Sequence, residues 1–196
     1  MLMSGMLRKI SIVALLLLLQ ACQLNPPKPP SYDSHQSVLD LSQRSNFSFS
    51  GKMSFSDGTD GGSGRISWQQ QSDGYIVADF KAPLGSQSWQ LDVTPTAATL
   101  TDRNGQTWMS QQAGELLSDQ LGWPVPWQAL TYWVQGQKDH EAAIIKETED
   151  GYLINSGGWQ ISYRKLVEYP GGLLPHKMQA RRGEHVIKLA IKQWDL

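Results

Sequence analysis

Ten residues of strict alternation constrain this chain more than any other stretch. Phe47, Phe49, Gly51, Met53 and Phe55 alternate with Ser48, Ser50, Lys52, Ser54 and Ser56. Successive side chains of a β-strand point to opposite faces, so the segment predicts a strand that is greasy on one side and wet on the other. A strand of that kind needs partners that bury the same side.

The chain supplies them. After Asp57-Gly-Thr-Asp-Gly-Gly-Ser-Gly64, which reads as a turn, Ile66 and Trp68 share one face while Arg65, Ser67 and Gln69 take the other. Ser72-Asp-Gly74 turns the chain into a third strand over Tyr75 to Phe80, and in Gln87 to Val93 the residues Trp89, Leu91 and Val93 alternate with polar neighbours. Ala97 to Thr101 and Gly105 to Met109 flank Asp102-Arg-Asn-Gly105, whose Asn-Gly favours a hairpin. Further strands are expected at Ala143 to Glu147, Tyr152 to Asn155, Trp159 to Lys165, Lys177 to Arg182 and His185 to Lys192. Between the two groups the period changes. Gly114 to Leu121 and Trp127 to Val134 space Leu116, Leu117, Leu121, Leu130, Trp133 and Val134 as helices do, broken by Trp123-Pro-Val-Pro126. A further short amphipathic helix is expected over Ser34 to Arg44.

Ten or eleven short strands with tight turns describe a mainly β, α+β fold, in which one large antiparallel sheet curls and short helices cover its concave side. Eight tryptophans suit either a filled core or an apolar cavity under those helices, and periodicity does not distinguish the two.

The N-terminus carries a separate signal. Arg8-Lys9 precedes an apolar run from Ile10 to Leu19, which is too short to span a bilayer, and Gln20-Ala21 leads to Cys22. Leu19-Gln-Ala-Cys22 resembles the lipobox of bacterial lipoproteins, in which the cysteine is lipidated and becomes the first mature residue. Cys22 is the sole cysteine, so it has no disulfide partner within the chain. Gln23 in place of Asp points to outer-membrane sorting. Asn25-Pro-Pro-Lys-Pro-Pro30 reads as a stiff polyproline-like tether. Three regions follow: a cleaved signal over 1–21, a lipidated Cys22 and tether over 22–32, and one β domain over 33–196.

Catalysis finds no support in the motifs. His35, His140, His176 and His185 lack metal-ligand spacing, and no nucleophile elbow or phosphate loop occurs, so neither metal nor cofactor is expected and the chain reads as a non-enzyme. Cleavage after residue 21 removes two of the 17 basic side chains and none of the 18 acidic ones, leaving a formal charge of −3. A nucleic-acid binder would show a basic excess. One segment is unusual: Lys81-Ala-Pro-Leu-Gly-Ser86 places Leu84 in a loop, where it either folds back onto the core or presents an apolar tip to lipid or a partner.

Several of these segments together resemble the LolB family of outer-membrane lipoproteins. They are the signal with Cys22, Trp68-Gln-Gln70, Pro83-Leu-Gly-Ser86, Asn104-Gly-Gln106, Leu121-Gly-Trp-Pro-Val-Pro126 ahead of Leu130 and Trp133, and the ending from Ile187-Lys-Leu189 to Trp194. The resemblance implies an incomplete β-barrel with a hydrophobic cavity, anchored at Cys22 in the outer membrane and facing the periplasm as a monomer. It implies that acyl chains of client lipoproteins, received from a LolA-like periplasmic carrier, enter the cavity, and that Leu84, between Pro83 and Gly85, serves delivery into outer-membrane lipid. Candidate cavity residues are Phe47, Phe49, Met53, Ile66, Trp68, Trp89 and Leu91 from the strands and Leu130 and Trp133 from the helices. The alternatives are an assembly lipoprotein with a packed core, or a carrier of free lipids.

Overall fold

The computed structural model describes residues 45–83, 88–122, 125–170 and 172–196. The signal segment, Cys22, the tether, the helix expected at 34–44, and Leu84 and Gly85 lie outside them.

Among the described residues the chain forms two antiparallel meanders joined by helices. The first comprises β1 (Phe47–Ser56), β2 (Gly61–Gln70), β3 (Ile76–Lys81), β4 (Trp89–Val93), β5 (Ala98–Asp102) and β6 (Thr107–Ser110). Two helices follow, α1 (Ala113–Leu121) and α2 (Trp127–Trp133). The second meander comprises β7 (Ile144–Thr148), β8 (Gly151–Ser156), β9 (Trp159–Tyr169), β10 (Gly172–Arg182) and β11 (His185–Asp195). Pairing of β1 with β11 fuses the meanders into one sheet of order β6-β5-β4-β3-β2-β1-β11-β10-β9-β8-β7. The sheet is not closed: β6 and β7 are its free edges, and the helical segment runs between them.

The alternation in β1 has the predicted outcome. Phe47, Phe49 and Phe55 are buried, whereas Ser50 and Lys52 are exposed. The β1–β11 register shifts between Ser50 and Gly51, opposite which β11 carries the extra residue Lys192. A bulge of this kind increases local twist and resets alternation, so Ile191 and Trp194 both face the core despite their odd spacing. Trp194 then meets Phe49 at 5.1 Å and Phe47 at 5.8 Å between ring centroids.

Two expectations require correction. The Gly-rich stretch is a turn only over Asp57 to Asp60, where the Asp57 carboxylate accepts from the backbone N–H groups of Thr59 and Asp60. From Gly61 onward it is strand, because these glycines let neighbouring backbones approach. A Cβ on Gly61 would lie 2.5 Å from the Phe55 carbonyl oxygen, and one on Gly64 would lie 2.5 Å from that of Lys81. Second, β9 and β10 extend well beyond the predicted strands and pair from Tyr169 opposite Gly172 down to Gln160 opposite Arg181. Pro175 cannot donate to a ladder. Here it sits buried within β10, opposite Leu166. The left-handed Lys165 (φ 53°) interrupts pairing beside it, and the Pro175 carbonyl accepts from the Trp194 indole at 3.2 Å.

Candidate functional site

The helices close over the apolar face. In α1, Leu116 and Leu117 are buried, and Glu115 in the first turn takes hydrogen bonds from Ser110 and Gln112, a favourable place for an acid at a helix N-terminus. Gly122, at φ 74°, ends the helix. Ser118 ties it to the following segment: its hydroxyl donates to the Gly114 carbonyl at 2.6 Å and accepts from the Val125 N–H at 3.1 Å. This fixes the entry to α2, whose Trp127, Leu130 and Trp133 point inward.

Under that cover lies a void of about 30 Å³ with a wholly apolar lining. Phe49, Met53, Phe55, Ile66, Trp68, Ala78 and Trp89 line it from the first meander, Met178, Ile187 and Leu189 from the second, and Leu117, Val125, Trp127, Leu130 and Val134 from the helical segment. The rings of Trp68 and Trp127 stack at 4.9 Å across the sheet–helix boundary, and Phe49 stacks on the far side of the cluster, 5.9 Å from Trp68. The volume is on the order of a few water molecules, and an apolar void of this kind stays dry. Among the described residues the indole N–H groups of Trp68 and Trp89 are buried with no hydrogen-bond partner. Each such donor forfeits about 1–3 kcal/mol relative to a paired one.

The sequence-predicted residues divide accordingly. Phe49, Met53, Ile66, Trp68, Trp89 and Leu130 line the void; Phe47, Leu91 and Trp133 are buried in core packing away from it. Pro83 is exposed and ends the described segment that follows β3; Leu84 and Gly85 lie outside the described residues. Sequence reasoning missed Phe55, Ala78, Met178, Ile187 and Leu189 from the strands and Leu117, Val125, Trp127 and Val134 from the helical segment as lining residues. Which apolar residues meet at one point depends on non-local pairing of β1 with β11.

The second meander is packed differently. Tyr152 and Tyr163 stack at 4.6 Å, and the Tyr152 hydroxyl donates to the Gly136 carbonyl at 2.7 Å. Trp133 tilts against Trp159 at 5.7 Å and donates its indole N–H to Asp139 at 3.1 Å. Ser156 meets His140 Nε2 at 2.9 Å. Desolvation raises the Tyr152 and Tyr163 hydroxyls well above the ordinary tyrosine range. His140, Ser156 and Asp139 do not make a nucleophilic triad, because the Asp139 carboxylate approaches the same ring nitrogen that meets Ser156, at 3.9 Å. Among the described residues no group of three or more His, Cys, Asp or Glu is arranged to hold a metal ion.

A family profile described as outer membrane lipoprotein LolB matches residues 45–194. An outer-membrane lipoprotein LolB from Azoarcus sp. (strain BH72) is 32% identical over 181 residues, covering 91% of this chain and 90% of that protein. One from Aeromonas hydrophila is 28% identical over 191 residues, covering 97% and 98%. Among solved structures, a LolA superfamily protein from Nitrosomonas europaea overlays with a TM-score of 0.48 at 8% identity, covering 82% of this chain and 92% of that one.

Proposed function

The chain belongs to the LolB family of outer-membrane lipoproteins, and from that premise we propose that it is a receptor in lipoprotein localisation, a trafficking protein and not an enzyme. It takes acyl chains of client lipoproteins from a LolA-like carrier and passes them into the outer membrane. Lipid on Cys22 holds it there, with several acyl chains giving a firm anchor where one would be marginal. The observation that carries the reading is the apolar void beneath α1 and α2, enclosed by aromatic side chains. An acyl chain exposed to water loses about 0.8 kcal/mol per methylene, so a client needs an unbroken apolar path from carrier to bilayer. A volume of about 30 Å³ is too small for such a chain. Uptake therefore requires α1 and α2 to lift from the sheet, opening the Trp68–Trp127 stack. With no nucleotide to drive the step, direction comes from affinities that rise from carrier to receptor to bilayer.

The test is a transfer assay in which the protein is mixed with client-loaded carrier and then with acceptor vesicles. The expected result is movement of client to the protein and on to the vesicles. With Leu84→Glu, uptake should persist while insertion falls about tenfold or more, since a charge on an inserting tip opposes its entry into hydrocarbon. Failure of the unaltered protein to take client from the carrier would overturn the reading, and normal insertion by Leu84→Glu would remove Leu84 from it.

A further inference from the structure

Besides the apolar void, the sheet carries a groove of about 870 Å³ whose lining combines apolar atoms with lysine and arginine side chains. Strand register explains how it arises. Lys81 on β3 pairs with Arg65 on β2, Arg65 with Lys52 on β1, Lys52 with Ala190 on β11, Ala190 with Lys177 on β10, and Lys177 with Arg164 on β9. Directly paired residues in antiparallel strands project to the same face. Five cations therefore stand in one row across six strands, a span of about 24 Å at the usual strand spacing. The neighbouring row on that face runs through Ser63, Ser54, Lys188, Gln179 and Ser162, which adds a sixth cation and hydrogen-bonding groups but no acid.

The lining of the groove contains no aspartate or glutamate. At its two ends Lys81 pairs with Asp79 at 3.2 Å and Arg164 with Asp150 at 3.6 Å. Lys52, Arg65, Lys177 and Lys188, in the middle, are exposed and have no ion-pair partner among the described residues. In a chain with 17 basic and 18 acidic side chains, such segregation leaves a strip that like-charge repulsion disfavours unless an anion meets it. Ala82 and Pro83 also line the groove, so it runs into the root of the loop that carries Leu84. Met53, Met178 and Leu189 contribute to both the groove and the apolar void.

We propose that this cationic row is a docking surface for the anionic phospholipid headgroups of the target membrane, which lays the domain on the bilayer with its delivery loop against the lipid. The proposal deepens the receptor reading and rests on it for the placement of the loop. A bilayer offers many phosphates in a plane, which matches a long open row better than a closed single-anion pocket would. Each lysine or arginine held near an anionic membrane surface strengthens binding roughly fivefold, and the effect decays within a Debye length.

The experiment uses the full-length lipidated protein anchored in vesicles, with energy transfer from its tryptophans to a dansyl-labelled headgroup reporting how close the domain lies to the surface. Vesicles of phosphatidylcholine are compared with vesicles of phosphatidylcholine and phosphatidylglycerol. Transfer should be stronger with phosphatidylglycerol, should fall as salt is raised, and should fall in a variant combining Lys52→Gln, Arg65→Gln, Lys177→Gln and Lys188→Gln. The docking equilibrium of that variant should weaken by nearly three orders of magnitude, about fivefold for each of the four cations removed. Lys146→Gln on β7 is the control and should behave as the unaltered protein. Equal transfer in the two vesicles, or an unchanged response in the fourfold variant, would overturn the proposal. So would a fourfold variant that keeps its vesicle response but no longer takes client from the carrier, which would assign the row to an acidic partner protein. Failure of the unaltered protein to receive client would instead overturn the receptor reading, and the vesicle comparison does not depend on it.

Discussion

The two meanders bury similar kinds of side chain and yet make two different interiors. Around β8 and β9 the core is filled, and its buried polar groups are mostly tied down: Tyr152 to Gly136, Trp133 to Asp139, Ser156 to His140. Around β1 to β4 a void remains, and the indole donors of Trp68 and Trp89 are left unpaired. The contrast extends to how the cover is held. The C-terminal end of α2 is fastened to the filled side by a packed tryptophan and a hydrogen bond, whereas α1, beyond the Ser110–Glu115 hydrogen bond at its first turn, and the start of α2 rest on the hollow side through apolar contact. Apolar contact is non-directional and is readily exchanged for another apolar surface, such as an acyl chain. One side is thus built to hold the cover and the other to release it.

The largest expected effect lies on the holding side. Trp133 is 1% exposed, and Trp133→Ala should cost about 4 kcal/mol of unfolding free energy in a urea titration, as truncation of a buried tryptophan does. A loss below about 1 kcal/mol would show that this end of α2 is not fastened. A matched pair of substitutions probes the two interiors more finely. Ala180 on β10 is fully buried and lines no void, so Ala180→Val should overpack its site at a cost of about 1–3 kcal/mol. Ala78 on β3 is buried equally well but faces the void. Ala78→Val should leave stability within about 0.5 kcal/mol of the unaltered protein while weakening acyl uptake several-fold, because the added methyls occupy space the ligand needs. Equal destabilisation by the two valines would abolish the distinction between filled and hollow sides.

Much of this arrangement was legible in local sequence. The Phe47 to Phe55 alternation, the helical spacing around Leu117 and Leu130 and the Asn104-Gly105 turn each depend on neighbours within a few residues, and each appears near its expected place. What escaped was non-local. Pairing of β1 with β11 joins residues more than a hundred positions apart, and nothing in either strand specifies the other. The cationic row depends on the same pairing: Lys52, Arg65, Lys81, Arg164 and Lys177 are scattered along the chain and become one row only through register. Gly61 misled because its usual meaning, a turn, is overridden by a close backbone approach that demands a missing Cβ. The size of the void was also beyond reach, since a filled core and a cavity use the same apolar faces.

The smallest effect at neutral pH concerns an exception on the filled side: among the described residues the Tyr163 hydroxyl is buried without a partner. Removing an unpaired buried hydroxyl also removes its desolvation cost, so Tyr163→Phe should be neutral or up to about 1 kcal/mol stabilising at pH 7. Its signature should emerge in alkali. Burial, then the proximity of Tyr152 and of the Asp139 charge, raises the Tyr163 hydroxyl well above the value of 10.0 it has when exposed. A group whose folded value is raised contributes stability that is complete below the unfolded value and is lost as pH climbs above it, because only the unfolded chain can then release the proton. Above pH 10 each such tyrosine should therefore cost about 1.4 kcal/mol per pH unit. Tyr163→Phe removes one of the two, so urea titrations at pH 7 and pH 11 should show a shallower alkaline loss than in the unaltered protein. An identical loss in both would mean that Tyr163 titrates freely in the folded state, and that the filled side is more open to water than its packing indicates.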